Sequence, residues 1–320
     1  ATIPNTNNNN KINDNSLNLE LFSPETIIKS KNYLFERGFI QIYDLEKCLI
    51  EQLPLKKKGF IRILAISDTH CRNDELLSPE ESRVIDADVL IHCGDFLDKG
   101  VASEADDFLS WLEQQPQTHK LVVPGNHDRA FDPTEDYFDV SVVEKLRGIC
   151  SFAPPTCTLD EIKQLQSTMD NDSSSDNLKQ LELVQDRLLG QFFHCQSLSL
   201  FASSLLPRQP KSRPRMAFGR ARGLRLKQAW LAALSHARQD EQRVRFDILV
   251  THTPPHGVLD NDAHIGDEQL TKLFLNSKLA PALHLFGHCH ASRGVCVTRR
   301  TVFVNCASAP VDHRDATARL

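Results

Sequence analysis

The chain of 320 residues lacks a dominant charge: 37 Lys and Arg stand against 42 Asp and Glu, a formal net charge of -5. That balance removes any global electrostatic case for a nucleic acid or an anionic membrane as partner. The sequence also lacks a C-x-x-C pair, its nine cysteines (48, 71, 93, 150, 157, 195, 289, 296 and 306) being odd in number and scattered. A disulfide framework is therefore not expected, and a reducing compartment, the cytoplasm, is. No apolar run approaches the roughly 18 residues of a membrane helix. The polar start, Ala1 to Glu20, has no apolar segment of signal-peptide type. Two enzyme signatures are missing as well. Without G-x-S-x-G there is no serine-hydrolase elbow, and without G-x-x-x-x-G-K-[ST] there is no P-loop.

What is present is an ordinary globular composition, 40% hydrophobic and 25% charged, enough for a sizeable core. Residues 1–58 read as an N-terminal extension. Its first 20 residues, with Asn7 to Asn10 in a row, are expected to be disordered. Residues 21–53 are expected to form a small helical element, with Ser23 before Pro24 as an N-cap, Gly38 as a stop and a second helix through Leu45 to Leu53. Residues 54–58, with Pro54 and the run Lys56-Lys57-Lys58, read as a linker. From residue 59 to 320 strands and helices alternate, with helices expected over Glu104 to Gln115 and Leu226 to Arg238. Such alternation favours an α/β sheet protein. Residues 158–190, around Ser173-Ser174-Ser175, read as an insertion. Residues 207–227 hold eight basic residues and no acid, a strip that reads as a solvated loop face before it reads as a binding surface.

The chemistry lies in five short motifs: Asp68-Thr69-His70, Gly94-Asp95, Gly125-Asn126-His127-Asp128, His252 and Gly287-His288-Cys289-His290. Each closes or follows a short apolar run of the kind that suits a buried strand. In α/β sheets ligands gather outside strand ends, so these side chains are expected to converge. Asp68 and His70 lie two apart, which on extended backbone puts both on one side, with Cα atoms about 6.6 Å apart. A carboxylate and an imidazole can then share one ion. His288 and His290 repeat the spacing and can reach two adjacent ions, Asp95 can bridge a pair, and Asn126 and His252 add an oxygen and a nitrogen. A mixed N/O set without thiolate suits Mn, Fe, Zn or Co.

The series D-x-H, G-D, G-N-H-D, H and G-H-x-H, in this order, resembles the calcineurin-like metallophosphoesterases. The wording of Ser67-Asp68-Thr69-His70, Ile91-His92-Cys93-Gly94-Asp95-Phe96, Thr251-His252-Thr253-Pro254-Pro255-His256-Gly257 and Phe286-Gly287-His288-Cys289-His290 is most similar to the metallophosphoesterase-domain subgroup related to class III cyclic-nucleotide phosphodiesterases. The resemblance implies a four-layer α/β/β/α sandwich of two mixed sheets. It implies two divalent ions, Asp68, His70 and His290 binding the first, Asn126, His252 and His288 the second, and Asp95 bridging them. His127 would face the phosphate and help stabilise or protonate the leaving oxygen, with Asp128 orienting it. The implied reaction is hydrolysis of a small phosphoester, a diester in the subgroup, by in-line attack of hydroxide held by the two ions. A nuclease of the same superfamily, gripping phosphates with residues 207–227, and a non-catalytic scaffold are the alternatives. The complete ligand set favours the enzyme.

The same resemblance marks departures. Cys71 and Cys289 sit inside or beside ligand motifs and are expected to invite oxidation. The stretch Phe192 to Phe218 matches relatives poorly, and a final strand after Asn305 is expected to be short or missing. Among other histidines, His92 and His284 lie inside apolar runs and read as core residues with satisfied hydrogen bonds. His256 is balanced between support of the site and loop geometry, and His119, His194, His236, His264 and His313 have no motif context.

Overall fold

The computed structural model describes residues 40–45, 50–152, 186, 189–195, 197–209, 216–239, 246–261, 264–275 and 277–308. The expected disordered start, the Ser23 cap and most of the insertion at 158–190 lie outside them. Of the helix expected through Leu45 to Leu53, the described part is a single 3-10 turn, Ile50–Gln52. The linker is irregular but fastened: Lys56 pairs with Asp88 at 2.8 Å, and the Arg62 guanidinium donates to the Pro54 carbonyl at 2.5 Å.

Twelve strands are described. Four form the first sheet: β1 (Ile63–Ile66), β2 (Val89–His92), β3 (His119–Val122) and β4 (Ser151–Phe152), in that order and all parallel. Parallel neighbours need crossover connections, supplied by α1 (Asn73–Leu76) with α2 (Pro79–Ile85), by α3 (Ala102–Gln114) and by α4 (Val140–Ile149). The start of α2 is written in the sequence: Ser78 and Glu81 form a capping box around Pro79 at the first helical position. The second sheet is mixed. Its strands are β5 (Gly190–Cys195), β6 (Leu198–Ser203), β9 (Ile248–Thr251), β10 (Leu283–Phe286), β11 (Gly294–Val297) and β12 (Val302–Asn305), in the order β11-β12-β10-β9-β6-β5. The edge strands β11 and β5 run antiparallel to their neighbours and the inner four are parallel. A small pair, β7 (Leu206–Pro207) with β8 (Gly219–Arg220), and the helices α5 (Leu224–Gln239) and α6 (Glu268–Phe274) complete the described elements.

Alternation along the strands explains the layering, because successive side chains face opposite sides of a sheet. Val89, Ile91 and Leu121 of the first sheet meet Leu200, Ala202, Ile248, Val250 and Leu285 of the second in one apolar cluster between the sheets. The alternate residues Leu64, Ile66, Leu90, Val122, Phe201 and Leu249 face outward with Phe108, Trp111 and Trp230 of the helices. The result is helix, sheet, sheet, helix. Trp111 and Trp230 are fully buried and also hydrogen-bonded, to the Leu77 carbonyl at 2.8 Å and to Asp267 at 2.7 Å. A tryptophan of that kind fixes its helix, and truncation to Ala costs about 3–5 kcal/mol. No helix among the described residues is long and apolar enough to cross a membrane.

Strands fall where the apolar runs put them, and α3 and α5 match the expected helices within two residues. The stretch Phe192 to Phe218 nonetheless carries three strands, two of them in the second sheet. Strand β12 ends at Asn305, and beyond it the described residues, which reach Ser308, hold an isolated bridge from Ala307 to Ser67, just after β1, and no further strand. The basic strip is less free than its composition suggests. Arg220 is fully buried against Asp186 at 2.7 Å, Arg225 pairs with the same carboxylate, and Arg222 pairs with Glu268 at 2.7 Å.

Candidate metal centre

All five motifs lie just beyond the carboxyl ends of parallel strands, β1, β2 and β3 in one sheet and β9 and β10 in the other. The loops are laced to one another through backbone. Asp68 N–H donates to Gly94 O at 2.8 Å, His70 N–H to Asp95 O at 3.1 Å and Gly287 N–H to His252 O at 2.9 Å. The motif glycines permit this approach. A Cβ on Gly287 would overlap Ser67 Oγ and Asp68 Oδ2, and Gly94, at φ 105°, would place one 2.5 Å from His252 Nδ1.

The reason given for Asp68 and His70 sharing one side does not hold, although the two do come together. Their φ angles are 56° and 44°, left-handed rather than extended, and His288 follows at 69°. Five of the ten described non-glycine residues with positive φ (Asp68, His70, Cys71, Asp95 and His288) sit in these loops, so the strain gathers at the site. Interlocked backbone, not strand alternation, aims the side chains.

Two sets of ligand-type atoms result. Asp68, His70 and His290 bring one atom each within 4.8 Å of one another, and so do Asp95, His252 and His288. In the first set His290 Nε2 lies 3.1 Å from Asp68 Oδ1 and 3.4 Å from His70 Nε2. In the second, His252 Nε2 lies 3.2 Å from Asp95 Oδ2 and 3.1 Å from Asn126 Oδ1. The donor chemistry fits a cation. His252 Nδ1–H is committed to the Cys93 carbonyl at 2.8 Å, the arrangement common to metal-bound imidazoles, so Nε2 faces two oxygen acceptors. In the first set the buried His70 Nδ1 has no hydrogen-bond partner among the described residues. Asp98 with His70 and His127 forms a third, more exposed grouping that the motifs did not announce.

Electrostatics point the same way. Burial opposes charge on His252, but Asp95 and Asp68 outweigh it and raise its pKa to about 9. Burial likewise opposes the Asp95 carboxylate, yet His252 and His127 hold it well below the usual range. His288, buried and beside His252, is pushed down to about 4. A divalent ion that takes His252 must displace a proton held up to about pH 9, whereas His288 offers no proton at neutral pH. Apparent metal affinity is therefore expected to rise about tenfold per pH unit between pH 6 and 8 for that one proton, measurable by calorimetric titration. A flat profile would mean that His252 is not a ligand.

His127 stands apart from both sets. Its Nδ1–H donates to the Asp98 carbonyl at 2.6 Å, which fixes the tautomer and leaves Nε2 unengaged, and its backbone N–H donates to Asp95 Oδ1 at 2.8 Å. Asp128 does not orient that ring by contact. Its carboxylate, fully buried, accepts backbone N–H groups from Gly125 at 2.7 Å and from Asp95 and Leu97 at 2.9 Å. Burial and the Asp95 charge raise Asp128 to about 8, against the pull of those donors. Its work is to tie the third loop to the second. The Asp98 carboxylate, which joins the third grouping, lies outside the five motifs, and the spacing G-D-x-x-D is the signal that marks that side chain.

The remaining histidine and cysteine readings resolve similarly. His92 Nδ1 accepts from Gly94 N–H at 3.2 Å and its Nε2 lies 3.1 Å from Thr69 Oγ1. His284 Nε2 lies 2.9 Å from Thr251 Oγ1, which itself donates to the Thr253 carbonyl at 2.7 Å. Burial lowers both to about 3, so they are neutral core residues bracing ligand loops. Cys71 is raised to about 11 and Cys289 higher still, chiefly by burial. Protonated thiols are poor nucleophiles, and of the two Cys71 is exposed and Cys289 buried.

The family model of the calcineurin-like phosphoesterases matches residues 61–292. The chain is similar to metallophosphoesterase domain-containing protein 1 of Homo sapiens, 28% identical over 270 residues that cover 81% of this chain and 69% of the relative. It is equally similar to UPF0046 protein K07C11.7 of Caenorhabditis elegans, 28% identical over 260 residues covering 81% and 73%. Among solved structures TT1561 of Thermus thermophilus is 15% identical with a TM-score of 0.42, covering 77% of this chain and 88% of that one. With well over half its length matched, the chain belongs to the calcineurin-like phosphoesterases, metal-dependent hydrolases of phosphoester bonds.

Proposed function

We propose that the chain is a phosphodiesterase that works with two divalent ions. Asp68, His70 and His290 hold the first, Asn126, His252 and His288 the second, and Asp95 bridges them. The observation that carries this reading is the pair of converging ligand sets, which meet at the ends of five strands spread over more than 200 residues. When bound, such ions supply a nucleophile from water at neutral pH and offset charge on the phosphoryl oxygens. The chain's own residues do the rest. Asp95 favours the protonated His127 ring, so with Nδ1–H committed to the Asp98 carbonyl the second proton, on Nε2, is the one delivered to the leaving oxygen, and Asp95, gripping the His127 backbone, sets its place beside the ligands. The preference for diesters is supported by the similarity of the motif wording to the class III subgroup. A ligand set without thiolate suits Mn, Fe, Zn or Co, and Mn²⁺ is the ion to supply first.

Gripping of a nucleic acid by the basic strip finds little support, because Arg220, Arg222 and Arg225 are engaged with Asp186 and Glu268. The substrate proposed is a small diester. A reducing compartment such as the cytoplasm is the one proposed, in keeping with nine scattered cysteines and no C-x-x-C pair. The test is to compare bis-(p-nitrophenyl) phosphate with p-nitrophenyl phosphate in the presence of Mn²⁺. The diester is expected to show the higher kcat/KM. Absence of diester hydrolysis with Mn²⁺, Zn²⁺, Co²⁺ and Fe²⁺, in protein shown to be folded, would sink the reading.

A further inference from the structure

Between β9 and α6 the chain forms a loop whose described residues, 254–261 and 264–267, include three in an unfavourable backbone. Leu259, Asn261 and His264 have φ of 50°, 61° and 47°. For a bulky residue such as Leu the left-handed region is a true outlier, and it persists only where neighbours impose it. Here they do. Arg222 donates to the carbonyls of Ile265 at 2.6 Å and Gly266 at 3.0 Å, and Gln209 also reaches Ile265 O at 3.0 Å. Ser292 Oγ accepts from Asn261 N–H at 3.0 Å, which seats the loop on the turn that follows His290.

The strained loop sets two imidazoles side by side over one carboxylate. The rings of His256 and His264 have centroids 5.4 Å apart at 59°. Their side chains are 47% and 43% exposed, while Asp260 beneath them is fully buried. His264 Nδ1 lies 3.1 Å from Asp260 Oδ1, and His256 Nδ1 lies 3.3 Å from the His264 carbonyl and 3.7 Å from Asp260 Oδ2. Both Nδ1 atoms face oxygen acceptors, so both carry hydrogen, and the atom left on each ring is Nε2. Among described residues Asp260 also accepts Gly257 N–H at 2.9 Å and Gly266 N–H at 3.3 Å, which fixes it in place.

An imidazole whose far N–H is given to a carboxylate or a backbone carbonyl is the form in which histidine binds transition metals. At Zn–N distances of about 2.0–2.1 Å, two imidazoles on one tetrahedral ion have centroids about 5 Å apart. We propose that His256 and His264 form a separate metal site, binding a Zn²⁺-class ion through their Nε2 atoms. Asp260 is the outer carboxylate, and water completes the shell. Neutral imidazoles favour Zn²⁺, Ni²⁺ or Cu²⁺ over Mn²⁺, so this site and the oxygen-rich centre differ in the ion they select.

The experiment is equilibrium dialysis of the full chain against low-micromolar free Zn²⁺ near neutral pH, with metal counted by elemental analysis. Wild type is expected to retain one equivalent of Zn²⁺ more than His256→Gln, and one more than His256→Gln with His264→Asn, the asparagine tolerating the left-handed backbone. Asp260→Asn is expected to weaken the extra equivalent about 10–100-fold without moving the ligands. Hydrolysis supported by Mn²⁺ is expected to be unchanged in His256→Gln. Equal Zn²⁺ in wild type and His256→Gln, both folded by circular dichroism, would overturn the proposal. Because His256 is half exposed, that variant keeps the test open if Asp260→Asn does not fold.

Discussion

Asp95→Asn is expected to lower kcat/KM for a phosphodiester by at least about 10³-fold, the scale on which charge stabilisation acts in preorganised sites. The loss should come with lower metal content. Asp95 is fully buried, one oxygen 3.2 Å from His252 Nε2 and the other receiving the His127 N–H at 2.8 Å. Asn keeps the size and can still accept from His127, so the fold of the loop survives and the change isolates the charge. In ion-free protein the same substitution removes the first favourable charge acting on His252, whose pKa of about 9 should fall. Proton NMR of the His252 ring in ion-free wild type and variant reads that directly. A variant with wild-type metal content and turnover would show that Asp95 does not join the two sets.

His127→Ala is expected to have the second large effect and to separate chemistry from binding. Its ring lies outside both proposed ligand sets, so the protein should keep its metal while turnover falls by about 10²–10⁴-fold, the range for a lost general acid. The deficit should be larger for an alkyl leaving group than for p-nitrophenolate, which needs no proton. Asn126→Ala should behave oppositely, losing the second ion because Asn126 Oδ1 faces His252 Nε2 at 3.1 Å. Equal metal loss in the two variants would refute the division of roles between neighbours in sequence.

Much of this was legible in the sequence because strand runs and ligand motifs are local signals. Ile248 to Val250 followed by His252, or Leu283 to Phe286 followed by Gly287-His288, states both a buried strand and what stands at its end. His92 and His284 were likewise readable, since an imidazole within an apolar run must find a hydrogen-bond partner, and each found a threonine. What sequence could not give was the backbone between strand and ligand. Asp68 and His70 meet through left-handed residues and hydrogen bonds to Gly94 and Asp95 in the next motif's loop, which no alternation rule contains. Asp128 was assigned by its neighbour in sequence, whereas its carboxylate serves three backbone amides. The orienting contact on His127 is a carbonyl oxygen, an atom every residue carries and no motif can mark. His264 had no context along the chain, because Asp260 gains meaning only once the loop folds over it.

Metal titration of chelator-stripped protein tests the central claim most directly, with bound Mn²⁺ and the rate of bis-(p-nitrophenyl) phosphate hydrolysis followed together. Stripped protein is expected to be inactive, and the rate to rise with bound ion and level off at two equivalents per chain. Full activity in the stripped protein, or a plateau reached at one equivalent, would contradict a centre in which Asp95 joins two ions.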